Sequence, residues 1–306
     1  MKKSMFLISL FFSASILISF AIHAGEIAIT IDDAPRGSKE LLTGEERTKK
    51  LIESLKRAEV PDVIFFIKTS NINEKSKKRL QSYIEAGFHI ANHSHSHYWT
   101  NRVSLDTYLE DITKAHDILS KFDNFSPFYR YPFLDEGRNR ETRDKIREHL
   151  AKLGYKNGYV TVDNYDWHMD TLLQQALKEG KKVDFKKLKK VYVESLWESI
   201  AFYDNIAKQV LGRSPKHVLL LHENDLAALF IADLVAHIRS KGWKIISPQD
   251  AYSDPISKTI PDVLFNNQGR IAAIAREKGF EKRRLVHESE DMNYLEELFK
   301  KNEVFE

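Results

Sequence analysis

Seven short apolar runs, each followed by a longer polar stretch, limit what this 306-residue chain can fold into. The runs cover 27–31, 63–67, 88–91, 128–133, 158–162, 218–221 and 244–246. Between them, residues 45–58, 74–86, 105–122, 139–153, 188–211 and 226–240 space their apolar side chains at helical intervals. Strands alternating with helices of this length join as parallel βαβ units, because parallel neighbours need a long crossover. Seven runs suit a closed or nearly closed (β/α) barrel, and a doubly wound open sheet is the alternative on pattern alone. The reactive residues favour the barrel. Asp32 and Asp33, His93 and His97, Arg130, Asp163 and Asp166, and His222 each lie at or just after the C-terminal end of a run. In (β/α) barrels the βα loops converge at that end and build the active site.

The two ends of the chain read differently. Lys2 and Lys3 precede an apolar stretch from Met5 to Ile22 that is diluted by Ser9, Ser13, Ser15 and Ser19, and Ala24 offers a small residue for cleavage. This is the pattern of an export signal over residues 1–24, with a retained membrane anchor as the alternative. No cysteine follows Ala24, which excludes a lipoprotein anchor, and the chain has none anywhere. Its stability must therefore come from a large core rather than disulfides. The expected organisation is a barrel over residues 25–252 and an appendage over 253–306 packed on it, a lid over the site being the alternative. Removing Lys2 and Lys3 lowers the formal charge from +3 to +1, which offers no electrostatic case for nucleic acid. The mature protein is expected to be periplasmic or secreted, without a stable membrane anchor. Residues 178–190 hold seven lysines. They read as a solvated helix face and loop, against a contact with an anionic glycan or membrane surface.

Chemistry concentrates in a few places. A β-like run ends in Asp32 and Asp33, and a second closes on His93-Ser-His-Ser-His97. One carboxylate and two histidines form the ligand set of a catalytic metal site that keeps a position open for water. The second aspartate is then free to act as a base. A helical turn would bring His93 and His97 to one face, with Asn92 and Ser94 orienting the imidazoles and His95 pointing elsewhere.

Five stretches in order resemble one family. Thr30-Ile-Asp-Asp-Ala-Pro35 is similar to T-F-D-D-G, and His93-Ser-His-Ser-His97 to H-S/T-x-x-H. Arg130-Tyr-Pro-Phe133 resembles R-x-P-Y, Asp163-Asn-Tyr-Asp-Trp167 resembles D-x-x-D-W, and Leu220-Leu-His222 resembles L-x-H. These are the motifs of the polysaccharide deacetylases, the NodB-homology or carbohydrate esterase family 4 enzymes, and they span roughly residues 26 to 250. The resemblance implies an α/β fold, a distorted (β/α) barrel, and removal of acetyl groups from glycans such as peptidoglycan or chitin. It implies Asp33, His93 and His97 as ligands of a divalent ion, with zinc first and cobalt or nickel as alternatives. It implies Asp32 as general base, His222 as the acid for the leaving amine, and the Phe133 N–H as oxyanion donor. Arg130, Asp163 and Asp166 would orient the base and the acid, which aspartate serves which being open. Trp167 would wall the acetyl pocket or simply pack. Ala34-Pro35 in place of the glycine and Phe133 in place of the tyrosine depart from the pattern. The competing readings are hydrolysis of O-acetyl esters or another non-peptide amide on the same site, and a carbohydrate-binding protein without catalysis.

Overall fold

The computed structural model describes residues 25–306, so the expected export signal lies outside the described residues. Its strands are β1 (Gly25–Ala34), β2 (Val63–Ile67), β3 (His89–Asn92), β4 (Phe125–Tyr129), β5 (Lys156–Asn157), β6 (Lys216–His222) and β7 (Trp243–Ile245). The helices are α1 (Gly44–Arg57), α2 (Glu74–Glu85), α3 (Leu105–Leu119), α4 (Arg140–Lys152), α5 (Asp166–Lys178), α6 (Phe185–Leu211), α7 (Asp225–Ser240), α8 (Pro248–Tyr252), α9 (Arg270–Glu277) and α10 (Met292–Lys301).

All strand pairs are parallel, in the order β5-β4-β3-β2-β1-β6, with β7 added beside the start of β1. Beyond β5 the chain reaches Val162, which bridges Leu219 of β6 and brings the two ends of the order together. The sheet is thus curled into a distorted barrel rather than left open. Every residue of β2 is buried, the continuous apolar pattern of a strand covered on both faces. Helices α1, α6 and α7 pack around it, and their apolar faces join the β1 and β2 side chains in one core. A smaller core of Tyr108, Ile112, Tyr129, Tyr131, Ile146, Leu150 and Tyr155 lies where α3 and α4 meet β4.

Two expected runs are shorter than their apolar patterns. The fourth leaves the ladder after Tyr129, because Pro132 has no N–H to donate and begins a tight turn at 132–134. The fifth keeps only Lys156–Asn157 as strand plus the Val162 bridge. There the Gly158 carbonyl turns to accept from Arg130 Nε. Gly158 also passes so close to Phe66 that a Cβ would sit 2.7 Å from its ring. Helix α5 has no counterpart among the expected segments. The lysine-rich stretch is the end of α5, a loop and the start of α6, and Lys181, Lys182, Lys187 and Lys189 pair with Glu179, Glu306, Glu303 and Asp233. Residues 253–306 lay α9 against α6 and α10 against α5 and α6. Among the described residues no helix is long and apolar enough to cross a membrane.

Candidate active site

β1 delivers its two acids in different directions. The ladder with β6 puts Asp32 opposite His222, whereas the ladder with β2 shifts register between Asp32 and Ala34. At that irregularity Asp33 takes a left-handed φ of 68°, and a bulge re-aims the side chain it carries. Asp32 faces Arg130, and Asp33 faces the histidines.

His93, just past β3, donates from Nδ1 to the Arg130 carbonyl at 2.8 Å, which leaves Nε2 as its free lone pair. His97 returns to it through a loop, not through the helical turn that the four-residue spacing implied. Residues 93–99 hold no helix, and Ser94 and His97 have φ of 67° and 61°. Asn92 Oδ1 accepts from the Ser94 N–H at 2.7 Å, and Ser94 Oγ from the His97 N–H at 2.9 Å. Asn92 and Ser94 therefore tie the loop backbone rather than the imidazoles. Buried Asp111 of α3 accepts from the His95 and Ser96 N–H groups at 2.9 Å each. His95 turns away to Thr69 Oγ1 at 2.9 Å.

Asp33, His93 and His97 then form a cluster that could hold a metal ion. The two Nε2 atoms are 3.2 Å apart, and Asp33 Oδ1 lies 3.8 Å from His93 Nε2 and 3.6 Å from His97 Nε2. Tetrahedral zinc bonds of ~2.0–2.1 Å separate ligand atoms by about 3.4 Å. Asp33 Oδ1 is buried with no protein partner. Burial lowers both imidazoles to about 4, so at neutral pH two lone pairs and a carboxylate oxygen face one another. The residues fit a small divalent cation.

Asp32 is 2% exposed. Arg130 Nη1 donates to its two oxygens at 2.9 and 3.1 Å. Burial pushes Asp32 up and Arg130 holds it back, to about 6. Arg130 is itself fixed by Gly158, by Thr30 Oγ1 at 3.1 Å and by the Tyr252 hydroxyl at 3.3 Å, over the Phe66 ring.

Across the cleft, His222 Nδ1 is 2.7 Å from Asp166 Oδ1. The other oxygen of Asp166 accepts from the His222 N–H and from Asn224 Nδ2, both at 2.9 Å. Burial opposes the imidazolium, yet Asp166 outweighs it, with Asp33 and Asp32 adding, and His222 rises to about 9. The aspartates left undivided by the sequence are thus divided by position. Asp163 bonds neither Asp32 nor His222; it accepts from the Asn164 N–H at 2.8 Å. Burial, with Glu290 nearby, raises it well above the carboxylate range.

Phe133 and Leu134 are both left-handed, at φ 57° and 51°, and the Phe133 N–H has no acceptor among the described residues. Asn267, from the C-terminal segment, donates from Nδ2 to the Phe133 carbonyl at 2.9 Å and from its N–H to the Leu134 carbonyl at 3.3 Å. The cleft has a volume of about 590 Å³ and is lined by Asp32, Asp33, both histidines, Asp163 and His222. Trp99 stacks on Phe133 at 3.9 Å on one wall, and Trp167 lies 5.1 Å from Tyr165 on the other. Asp111, Arg36, Trp99 and Asn267 escaped the sequence reading. Only Trp99, two residues past His97, carried a local signal.

Residues 22–158 match the model of the polysaccharide deacetylase family. A peptidoglycan-N-acetylglucosamine deacetylase of Bacillus cereus is 25% identical over 232 residues, 74% of this chain and 67% of that one. A solved peptidoglycan N-acetylglucosamine deacetylase aligns with a TM-score of 0.50 at 20% identity, over 76% of this chain and 90% of that one. A carbohydrate esterase family 4 pseudoenzyme of Bacillus anthracis aligns with a TM-score of 0.50 at 17% identity, over 74% of this chain and 64% of that one. At such identities the structural likeness speaks to the fold alone. Since one of these is described as a pseudoenzyme, activity must be argued from side chains.

Proposed function

From a chain that carries the polysaccharide deacetylase domain over residues 22–158, we propose an exported, metal-dependent deacetylase that hydrolyses acetyl groups on N-acetylhexosamine units of a glycan. The observation that carries this reading is the buried, unpartnered Asp33 Oδ1 facing two imidazole Nε2 atoms, with Asp32 and His222 beside it. A site that had lost catalysis would be expected to lose some of these five groups.

Asp33, His93 and His97 hold the divalent ion, zinc in first place. Bound there, it supplies Lewis acidity toward a water and the acetyl carbonyl. Asp32, kept ionised beside Arg130, takes the proton from the attacking water. The free Phe133 N–H donates to the carbonyl oxygen as its charge develops. An amide nitrogen does not leave as an anion, so His222 donates a proton from Nε2 to the departing amine. Asp166 holds His222 by Nδ1 and keeps it charged for that donation. Asp163, lining the cleft, presents its carboxyl group to the bound sugar. Trp167 and the Trp99–Phe133 stack offer flat apolar faces to sugar rings.

The test is acetate release from N-acetylated oligosaccharides by the metal-loaded protein, beside a chelated sample reloaded with zinc. Release that stops on chelation and returns with metal is expected. Undiminished release from metal-free protein, or none from any acetylated glycan, would overturn the reading.

A further inference from the structure

Arg36 lines the cleft, three residues beyond Asp33. Its guanidinium forms no ion pair and no hydrogen bond with the described residues, and its Nη1 is buried without a partner. The Arg36 backbone is the opposite case. Its N–H donates to the Glu223 carboxylate, and its carbonyl accepts from Arg79 Nη1 at 2.6 Å and Arg47 Nη1 at 3.3 Å. Arg79 in turn pairs with Glu223, Arg47 pairs with Asp225 at 2.6 Å, and the Tyr83 hydroxyl donates to Glu223 at 2.8 Å. Arg47, Glu223 and Asp225 are fully buried, and Arg79 is nearly so. Burying two ion pairs carries a desolvation penalty that good geometry only partly offsets. Here both pairs hold the backbone of Arg36 and Gly37, the Gly37 carbonyl accepting from Arg47 Nη1 at 2.8 Å, while the Arg36 side chain forms no hydrogen bond or ion pair among the described residues.

The charges around the cleft sharpen the point. Asp32 is matched by Arg130 and His222 by Asp166. Asp33 belongs to the metal-ligand set. Among the described residues that line the cleft, Arg36 is the cation that forms no ion pair. A guanidinium presents a planar fork of donors suited to a carboxylate, and such charge-assisted bonds are the strong ones.

We propose that Arg36 anchors an anionic group, a carboxylate on the acetylated sugar or its neighbour, so that this cleft selects acidic N-acetylated glycans over neutral ones. The proposal rests on the deacetylase reading above and names its substrate class. The carboxylate has two sources, the lactyl ether of a muramic acid unit or the ring carboxylate of a uronic acid unit.

The experiment compares metal-loaded wild type, Arg36→Gln and Arg36→Lys on matched N-acetylated oligosaccharides. One series contains muramic acid, one contains uronic acid, and each is paired with its carboxyl methyl ester. Wild type is expected to favour the free carboxylate by about 10–100-fold in kcat/KM, the scale of a charged hydrogen bond. In Arg36→Gln that ratio falls toward one, and Arg36→Lys keeps part of it. The series that shows the effect identifies the source. A wild-type ratio near one in both series, or an equal ratio in Arg36→Gln, overturns the proposal. Calorimetric binding of the deacetylated acidic product gives a second readout independent of turnover. If no glycan releases acetate, the deacetylase reading fails, but binding still decides Arg36. Tight binding by wild type alone upholds the anchor, and equal binding by both proteins removes it.

Discussion

The two walls of the cleft solve opposite electrostatic problems. On the His222 wall the charges are paired from within: Asp166 uses both oxygens on His222 and Asn224, and only the imidazole Nε2 is left open to the cleft. On the Asp33 wall the atoms that face the cleft are not answered. Three electron-rich atoms crowd within 3.8 Å of one another, and one is a buried oxygen with no donor. The backbone differs as well. The first wall sits at the end of a regular strand, and the second needs left-handed residues at Asp33, Ser94 and His97. A wall complete in itself can hold a proton ready. An unfinished wall is built for something that arrives from outside, and strained backbone is where such demands collect.

The largest expected effect breaks the unfinished wall. Asp33→Ala should lose the metal, measured by elemental analysis, and acetate release should fall by at least about 10³-fold, the scale of a lost Lewis acid worth several kcal/mol. Thermal unfolding adds a second readout, because a ligand held at 100 times its Kd stabilises by about 2.7 kcal/mol. Zinc should raise the Tm of wild type and leave that of Asp33→Ala unmoved. An Asp33→Ala protein with a full equivalent of metal would end the contrast between the walls.

Next comes the self-sufficient wall. His222→Ala should retain metal yet lose about 10²–10⁴ in amide hydrolysis, the range of general acid–base catalysis. Loss on an acetyl ester of a phenol should be far smaller, because that leaving group departs without a proton. Equal loss on both substrates would move His222 out of the acid's role.

A smaller effect separates His222 from its partner. Asp166 favours the charged imidazole, so the acid is present below the folded pKa and lost as pH rises through it. In Asp166→Asn the alkaline fall of kcat should therefore shift to lower pH, with metal content unchanged. An unshifted profile would mean that Asp166 only packs. Asn267→Ala should have the smallest effect, up to about tenfold in kcat for one neutral hydrogen bond of ~0.5–1.5 kcal/mol. Any change in its metal content would show that this contact serves the fold rather than the Phe133 amide.

What the sequence made legible follows the same division. Strand ends and short motifs are local, so the α/β barrel pattern and the cluster of reactive groups could be read from them. The means of closure were not local. Four-residue spacing implies a helical turn for His93 and His97, but Asp111, some fifteen residues away, pins a left-handed loop instead. Asn267 reaches Phe133 across more than a hundred residues, and a lone asparagine in a polar stretch announces nothing. Nothing local in the sequence marks Arg36, because its distinction lies in the buried ion pairs behind it. Helix α5 carries no local start signal, since Tyr165 at its N-cap makes no side-chain capping bond.

The pairing of β1 with β6 runs through seven consecutive positions, from Glu26 opposite Lys216 to Asp32 opposite His222. The separation of base and acid is therefore an averaged property of a ladder, insulated from what happens in any one loop. Loops can lengthen, shorten or change partners while that spacing persists. A single residue added inside β6 would instead turn His222 to the other face of the sheet. Such a molecule can vary what it recognises while its reaction geometry stays constant, and insertions should be found in its loops and not within these two strands.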